Sequence, residues 1–154
     1  MDLRWGSLAA AVALAAPSPV VAQRIAEFGV QATALAANPG SVVGGVYGAL
    51  RTSSRTRISV GAGVGAALGE TVVRGELLAH FLLNPTRRRG MAPYVAGGVA
   101  VESGPVGEGY LVMTLGLESR PGARSGWFVE AGVGGGARVA VGYRYRHLPP
   151  GWPF

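Results

Sequence analysis

The 154-residue chain has no cysteine, no lysine, one aspartate (Asp2) and two histidines, His80 and His147. Without cysteine there is no disulfide framework and no thiolate chemistry, and two histidines are too few for a protein-built zinc site. The formal charge of +6 comes from 14 arginines set against Asp2 and seven glutamates, so no carboxylate pair beyond Asp2 can include an aspartate. Charged residues are only 14% of the chain and hydrophobic residues 49%. Even so, beyond the N-terminus no run of 18 or more uncharged apolar residues occurs, which argues against a helical membrane protein. The length suits one domain of ordinary size. No metal or other cofactor is expected.

The strongest local feature lies at the start. Arg4 precedes the apolar run Leu8 to Ala16, followed by Pro17, Pro19 and small residues up to Ala22. A run of about ten apolar residues matches the h-region of a Sec signal peptide and is too short to span a bilayer. Residues 1–22 are therefore expected to be a signal peptide cleaved after Ala22, and residues 23–154 the mature domain. An exported small domain without disulfides needs another source of stability.

From Ile25 to Leu148 the apolar residues alternate with polar and small ones, and the segments are separated by Gly, Pro, Asn and Ser. At the end of the chain Val139, Val141, Tyr143 and Tyr145 share one face, opposite Arg138, Ala140, Gly142, Arg144 and Arg146. Ile58, Val60, Ala62, Val64 and Ala66 oppose Arg57, Ser59 and three glycines. Leu111, Met113, Leu115 and Leu117 oppose Tyr110, Val112, Thr114, Gly116 and Glu118, and Trp127, Val129, Ala131 and Val133 oppose Phe128, Glu130, Gly132 and Gly134. Period two is the signature of half-buried strands; a helix would mix these sets. Eight strands are expected, at 25–37, 41–52, 55–68, 71–84, 91–103, 108–119, 126–135 and 137–148. The joins are short and rich in turn formers, which suits antiparallel neighbours. An even count closes with both ends of the chain on one side.

Alternation alone does not say which face points inward. The polar face carries Glu27, Gln31, Thr33, Arg51, Arg57, Arg74, Glu76, His80, Thr114, Glu118, Glu130, Arg138 and Arg144 among many glycines, while the other face is almost free of charge. A soluble barrel hides its apolar face, whereas a transmembrane barrel shows that face to lipid and fills a narrow lumen with polar and small residues. The glycines on the charged face favour the second arrangement, because they make room for Arg and Tyr. Strands of ~10 residues at ~3.4 Å each, tilted by ~40°, cover the ~25 Å apolar band of an outer membrane.

In these features the chain resembles the small eight-stranded outer-membrane barrels of the OmpA and OmpX type from Gram-negative bacteria. The likeness covers Ile25 to about Leu148 and rests on the signal peptide, the eight alternating segments and the aromatic last strand with Tyr143 and Tyr145. It implies an all-β, up-and-down transmembrane barrel in the outer membrane, delivered by the outer-membrane assembly machinery, with lipid as main partner and both termini periplasmic. Barrels of this group commonly end in an aromatic residue read by that machinery; this chain ends in Phe154, but Pro149, Pro150 and Pro153 interrupt the strand before it. A monomer with a structural, envelope-integrity role is expected.

Counting from the turns brings Glu27, Arg51, Arg57, Glu118, Glu130 and Arg144 toward the end that holds both termini, as one ionic network that plugs the lumen. Arg74, Glu76 and His80, at two- and four-residue steps, are expected to form a second, more central cluster. Trp127, Tyr143 and Tyr145 are candidates for an interfacial aromatic girdle, with Trp152 a further one. Arg87, Arg88, Arg89, Arg120 and Arg124, with Arg51 and Arg55, form a basic rim, while the opposite turns show only Glu70 and Glu108.

Other functions find less support. No His-x-Ser sequence occurs, and the one imaginable hydrolytic pair, Ser59 with His80, would have to meet across strands, so no enzymatic activity is expected. Gly61, Gly65 and Gly69 have the spacing of a helix-packing glycine motif, but Gly63 and the alternation around it make the stretch a strand. The Gly-x-Gly pairs lack the dinucleotide fingerprint and a following helix. A nucleic-acid role does not suit an exported chain whose arginines lack interleaved aromatics. Two alternatives remain: a secreted soluble barrel with its apolar face turned inward around a small apolar ligand, and a narrow ion-conducting pore.

Overall fold

The structure is a computed structural model and describes residues 25–104 and 107–150. The proposed signal peptide, Trp152 and Phe154 lie outside the described residues. Eight strands follow one another: β1 (Ala26–Ala36), β2 (Ser41–Arg51), β3 (Thr56–Ala67), β4 (Glu70–Leu82), β5 (Met91–Ser103), β6 (Glu108–Ser119), β7 (Ser125–Val133) and β8 (Ala137–His147). Each pairs antiparallel with its neighbour in sequence, and β8 returns to β1, giving a closed up-and-down barrel. The closing seam runs from Ala26 opposite His147 to Ala36 opposite Ala137, so both ends of the described chain lie at one end of the barrel.

Every expected strand is present, with ends within two residues of the expected ones. The β3–β4 turn falls one residue earlier than expected, at Leu68–Gly69, because the ladder continues to the Ala67–Glu70 pair. A two-residue type I′ hairpin, whose twist matches that of the strands, needs positive φ at both central positions. Leu68 and Gly69 supply it, with φ of 51° and 77°.

The alternation sorts the side chains as the register requires. Valines, leucines and aromatics of the regular face point outward: Val30, Val46, Val60, Val64, Leu111, Met113 and Leu115 are all more than half exposed. No outward position along the strands carries a charge. Inward lie Glu27, Arg57, Arg74, Glu76, His80, Glu118, Glu130, Arg138, Arg144 and Arg146, all buried. The buried apolar side chains are scattered among these charges, and only two small clusters form: Val43, Ala67 and Val72, and Leu78, Ala100 and Val112.

Glycine decides how large side chains cross this narrow space. Tyr94 on β5, Gly116 on β6 and Glu130 on β7 are successive register partners. A Cβ on Gly116 would fall within the Tyr94 ring. Its absence lets the ring pass over β6, and the Tyr94 hydroxyl donates a hydrogen bond to Glu130 at 2.9 Å. Gly142 does the same for Phe128, its partner across β7 and β8. Gly116→Val is expected to expel Tyr94 and lower stability by about 1–3 kcal/mol, the usual cost of overpacking. Gly44→Ala is the matching control, since an added Cβ there meets nothing within 4 Å. Urea midpoints of the detergent-folded variants measure both, and equal midpoints would show that Gly116 is not needed for the Tyr94 path.

Candidate functional site

The lumen holds two ionic layers with aromatic rings between them. The layer nearer the chain termini is built on Glu27 (β1), Arg57 (β3), Glu118 (β6) and Arg144 and Arg146 (β8). Arg57 Nη1 donates to Glu27 and to Glu118, at 3.1 Å each. Arg144 reaches the same two carboxylates from the other side of the barrel, pairing with Glu118 and lying 3.7 Å from Glu27. Arg146 Nε donates to the second Glu27 oxygen at 3.0 Å. Glu27 and Glu118 are thus shared by three guanidinium groups, an arrangement that suits the several forked donors of arginine better than a lysine ammonium.

The second layer lies further in. Arg74 donates to Glu76 at 2.8 Å and to Glu102, its register partner on β5, at 2.9 Å. Arg138 bridges Glu76 at 3.0 Å and Glu130 at 2.7 Å. Gln31 reaches Glu76, and Ser41 reaches Glu102. Between the layers, Tyr94 packs against His80 with ring centroids 5.4 Å apart, and Tyr47 meets Phe128 edge-on at 5.5 Å. Arg57 lies 5.1 Å from the Tyr94 ring and Arg144 5.7 Å from that of Phe128, so the arginines of the first layer also touch the aromatic one.

All eight expected lumen residues face inward, but they group differently. Glu27, Arg57, Glu118 and Arg144 come together as expected. Glu130 does not join them; it belongs with Arg138, Glu76 and Tyr94. His80 leaves the Arg74–Glu76 cluster: it stands directly across the β3–β4 ladder from Arg57, which donates to Nδ1 at 3.2 Å. The two differences have separate causes. Strands in a barrel are tilted and staggered, so the count of Glu130 from its turn does not give its height along the axis. His80 shares a face with Arg74 and Glu76 but lies four residues beyond Glu76, ~14 Å at ~3.4 Å per residue, near the terminus end of β4. Arg51 is half-buried and makes no ion pair among the described residues. Its register partner is Arg57, a like charge that already holds the nearby carboxylates. Arg138 and Arg146 were on the polar face yet outside the expected network, and Tyr94 and Glu102 were missed. Parity along β5 from Met91 would have placed the last two inward.

Ser59 and His80 do meet, with Oγ 2.8 Å from Nε2. The remaining ring nitrogen settles what the pair can do. A guanidinium only donates, so Arg57 makes Nδ1 an acceptor, and the proton of the neutral ring sits on Nε2 and is donated to Ser59. A base for serine needs the opposite tautomer, held by a carboxylate on Nδ1. Here the histidine orients Arg57 instead of activating Ser59.

At the terminus end, Arg146 continues out of the lumen and donates Nη1 to the carbonyls of Arg120 and Ala123 at 3.2 and 2.9 Å. This ties the β6–β7 turn to the end of the first ionic layer, and Pro121, Gly122 and Ala123 are half-buried there. Among the described residues, a cavity of about 20 Å³ is bordered by His80, Tyr94 and Arg144, and another of about 10 Å³ by Gln31, Arg74 and Glu76. At the opposite end a depression of about 100 Å³ opens among Ser41, Glu102, Glu108 and Tyr110. No protein-family model matches the sequence, and no curated protein does.

Removing one carboxylate of the first layer leaves guanidinium groups buried without a counter-charge, which costs about 3–5 kcal/mol. Glu118→Ala is expected to lower stability by about that amount. Adding Arg144→Met to it should cost less than the sum of the two single changes, because the second removes a charge the first has orphaned. Urea unfolding of the four proteins measures the coupling, and simple additivity would show that the two side chains do not depend on each other.

Proposed function

We propose that the chain is an integral outer-membrane barrel, lipid-facing on its outer wall and closed along its lumen, with a structural role in the envelope of a Gram-negative bacterium. The observation that carries this reading is the inversion of the faces. Large hydrophobics stand exposed on all eight strands, from Phe28 on β1 to Tyr145 on β8, while the charged side chains of the strands share the inward face and, apart from Glu70 and Glu108 at the strand ends and the half-buried Arg51 and Glu102, are buried there. In water, an apolar surface that surrounds the molecule far exceeds the patch a soluble monomer leaves exposed. In lipid it is the favourable wall, and a closed ladder leaves no strand edge unsatisfied. A soluble barrel around an apolar ligand requires the faces the other way round.

Strand length supports the same reading. Strands of 9–13 residues, at ~3.4 Å per residue and tilted by ~40°, reach across a band of ~25 Å. The aromatic residues Trp127, Tyr143 and Tyr145, half-exposed on the outer wall near the terminus end, are where an interfacial girdle belongs. The signal peptide and the outer-membrane assembly machinery enter as parts of this proposal, and a single closed barrel needs no second copy to complete its sheet.

The closed lumen rests on the two layers. Cavities of about 10 and 20 Å³ beside them, each of the order of one water molecule, support a lumen without a continuous path for hydrated ions. Arg138, Glu130 and Tyr94 form a hydrogen-bonded link between the second layer and the aromatic one.

Two measurements test the proposal. Fractionated cells should yield the protein with the outer membrane, and the purified chain should migrate differently in SDS gels with and without boiling, as closed membrane barrels do. Recovery as a detergent-free soluble monomer without a heat-dependent shift would overturn the lipid-facing reading. In planar bilayers, wild type should conduct little and Glu130→Ala should raise single-channel conductance; equal conductance would count against closure by this link.

A further inference from the structure

We propose that the arginine rim at the terminus end is a docking surface for anionic phospholipid headgroups, which seats that end of the barrel in the leaflet it faces. The inference rests on the lipid-facing reading above and names the lipid class the protein selects. Arg55, Arg87, Arg88, Arg89, Arg120 and Arg124 are exposed on the three turns at this end, and none of those turns contains an acidic residue. The described turns at the opposite end contain no arginine, and the exposed charges there are Glu70 and Glu108. The acids that share the rim's end of the barrel, Glu27 and Glu118, are buried and committed to Arg57, Arg144 and Arg146. Apart from Arg88, which is engaged in a contact of its own, the rim therefore carries five positive charges with no exposed counter-charge among the described residues.

The height of the rim is set by the aromatics. Phe28, Phe81, Trp127, Tyr143 and Tyr145 face outward close to the terminus ends of their strands. At the other end the outward residues are Ala36, Val42, Ala66, Val101, Leu111 and Val133, with no aromatic among them. Aromatic side chains of this kind sit at headgroup level. The rim arginines follow within a few residues, ~10 Å at ~3.4 Å per residue, so their guanidinium groups reach the phosphates.

The rim is also held in shape. Arg120 N donates to Gly90 O at 2.8 Å and Gly122 N to Arg88 O at 2.9 Å, which locks the β4–β5 and β6–β7 turns side by side. Arg87 Nη1 donates to Met91 O at 2.8 Å, and Arg146 holds the β6–β7 turn from beneath. A fixed backbone lowers the ordering cost of binding, and guanidinium groups bind phosphate in a forked geometry that a lysine ammonium lacks. The aromatics lie on the wall below the arginines and not between them, so the rim presents no surface on which bases would stack.

The test uses the full-length chain folded in detergent and reconstituted into vesicles of phosphatidylethanolamine with one quarter phosphatidylglycerol. The protein is re-extracted with its retained lipid, and the two lipids are quantified by mass spectrometry at low and high salt. Wild type should retain phosphatidylglycerol well above its bulk share at low salt, and less at high salt. One arginine near an anionic surface is worth a factor of about five in attraction, so a variant carrying R87Q, R89Q, R120Q and R124Q should fall to within about twofold of the bulk ratio. The four Arg→Lys changes should leave an intermediate enrichment, and Glu70→Gln with Glu108→Gln should leave the wild-type ratio unchanged. The heat-dependent gel shift of each sample reports separately on the barrel and its insertion. A shift present in both wild type and the glutamine variant, with equal lipid ratios, would overturn the rim proposal and leave the barrel reading intact. Capture of a fluorescent polyglutamate peptide without any lipid preference would overturn it in favour of an acidic protein partner.

Discussion

Closure of β8 on β1 is the constraint on which the rest of this molecule depends. The seam pairs Ala26 to Ala36 with His147 to Ala137 without a break, and it removes the sheet edges that an eight-stranded antiparallel ribbon would otherwise expose. Once the sheet is closed, period two leaves each strand residue only two destinations, the wall or the lumen. A shift of one residue in any ladder would exchange the two sets for that strand, placing its arginines on the wall and its valines in the lumen. The sequence tolerates no such shift, because nearly every strand carries at least one charge on one parity and several large apolar groups on the other.

With the apolar residues on the wall, cohesion inside the barrel has to come from somewhere else. Five arginines and five glutamates, in two layers, supply it: Arg57, Arg144 and Arg146 with Glu27 and Glu118, then Arg74 and Arg138 with Glu76, Glu102 and Glu130. Buried charges are costly unless each is paired with good geometry. Sharing meets that demand in a small space, since every carboxylate except Glu102 and Glu130 faces two or more arginines. The first layer is one positive charge in excess and the second one negative, so the whole balances only when both are formed. Tyr94 joins them, with Arg57 against its ring and Glu130 at its hydroxyl.

Parity made the barrel legible in the sequence. Strand number, strand ends, the side on which the termini meet and the face of every named lumen residue could be taken from alternation and turn residues. Height along the barrel axis could not. Counting from a turn misplaces Glu130, because tilted strands are staggered, and a shared face misplaces His80, because a face says nothing of distance along the strand. Register would have helped more than counting: Arg57 with His80 and Arg74 with Glu102 are direct cross-strand partners. So are Arg51 and Arg57, and that like-charge pair explains why Arg51 faces the lumen yet stays out of the network. Tyr94 was hidden for another reason, because its partner Glu130 lies two strands away and the contact exists only where Gly116 leaves the path open.

The absence of lysine becomes intelligible from the two uses of arginine. Of the 12 arginines among the described residues, six face the lumen and six stand on the rim. In the lumen a guanidinium must satisfy two carboxylates at fixed angles, as Arg57 and Arg138 do, and a flexible ammonium with a single charged centre serves this poorly. On the rim the same fork suits the tetrahedral phosphates of the proposed lipid partner, from a turn whose backbone is already held. Arg146 joins the two uses in one side chain: Nε closes the first ionic layer on Glu27 while Nη1 holds the turn that carries Arg120 and Arg124. The order inside the barrel is thereby transmitted to the shape of the rim, and a disturbance of the first layer reaches the surface at that end through one guanidinium.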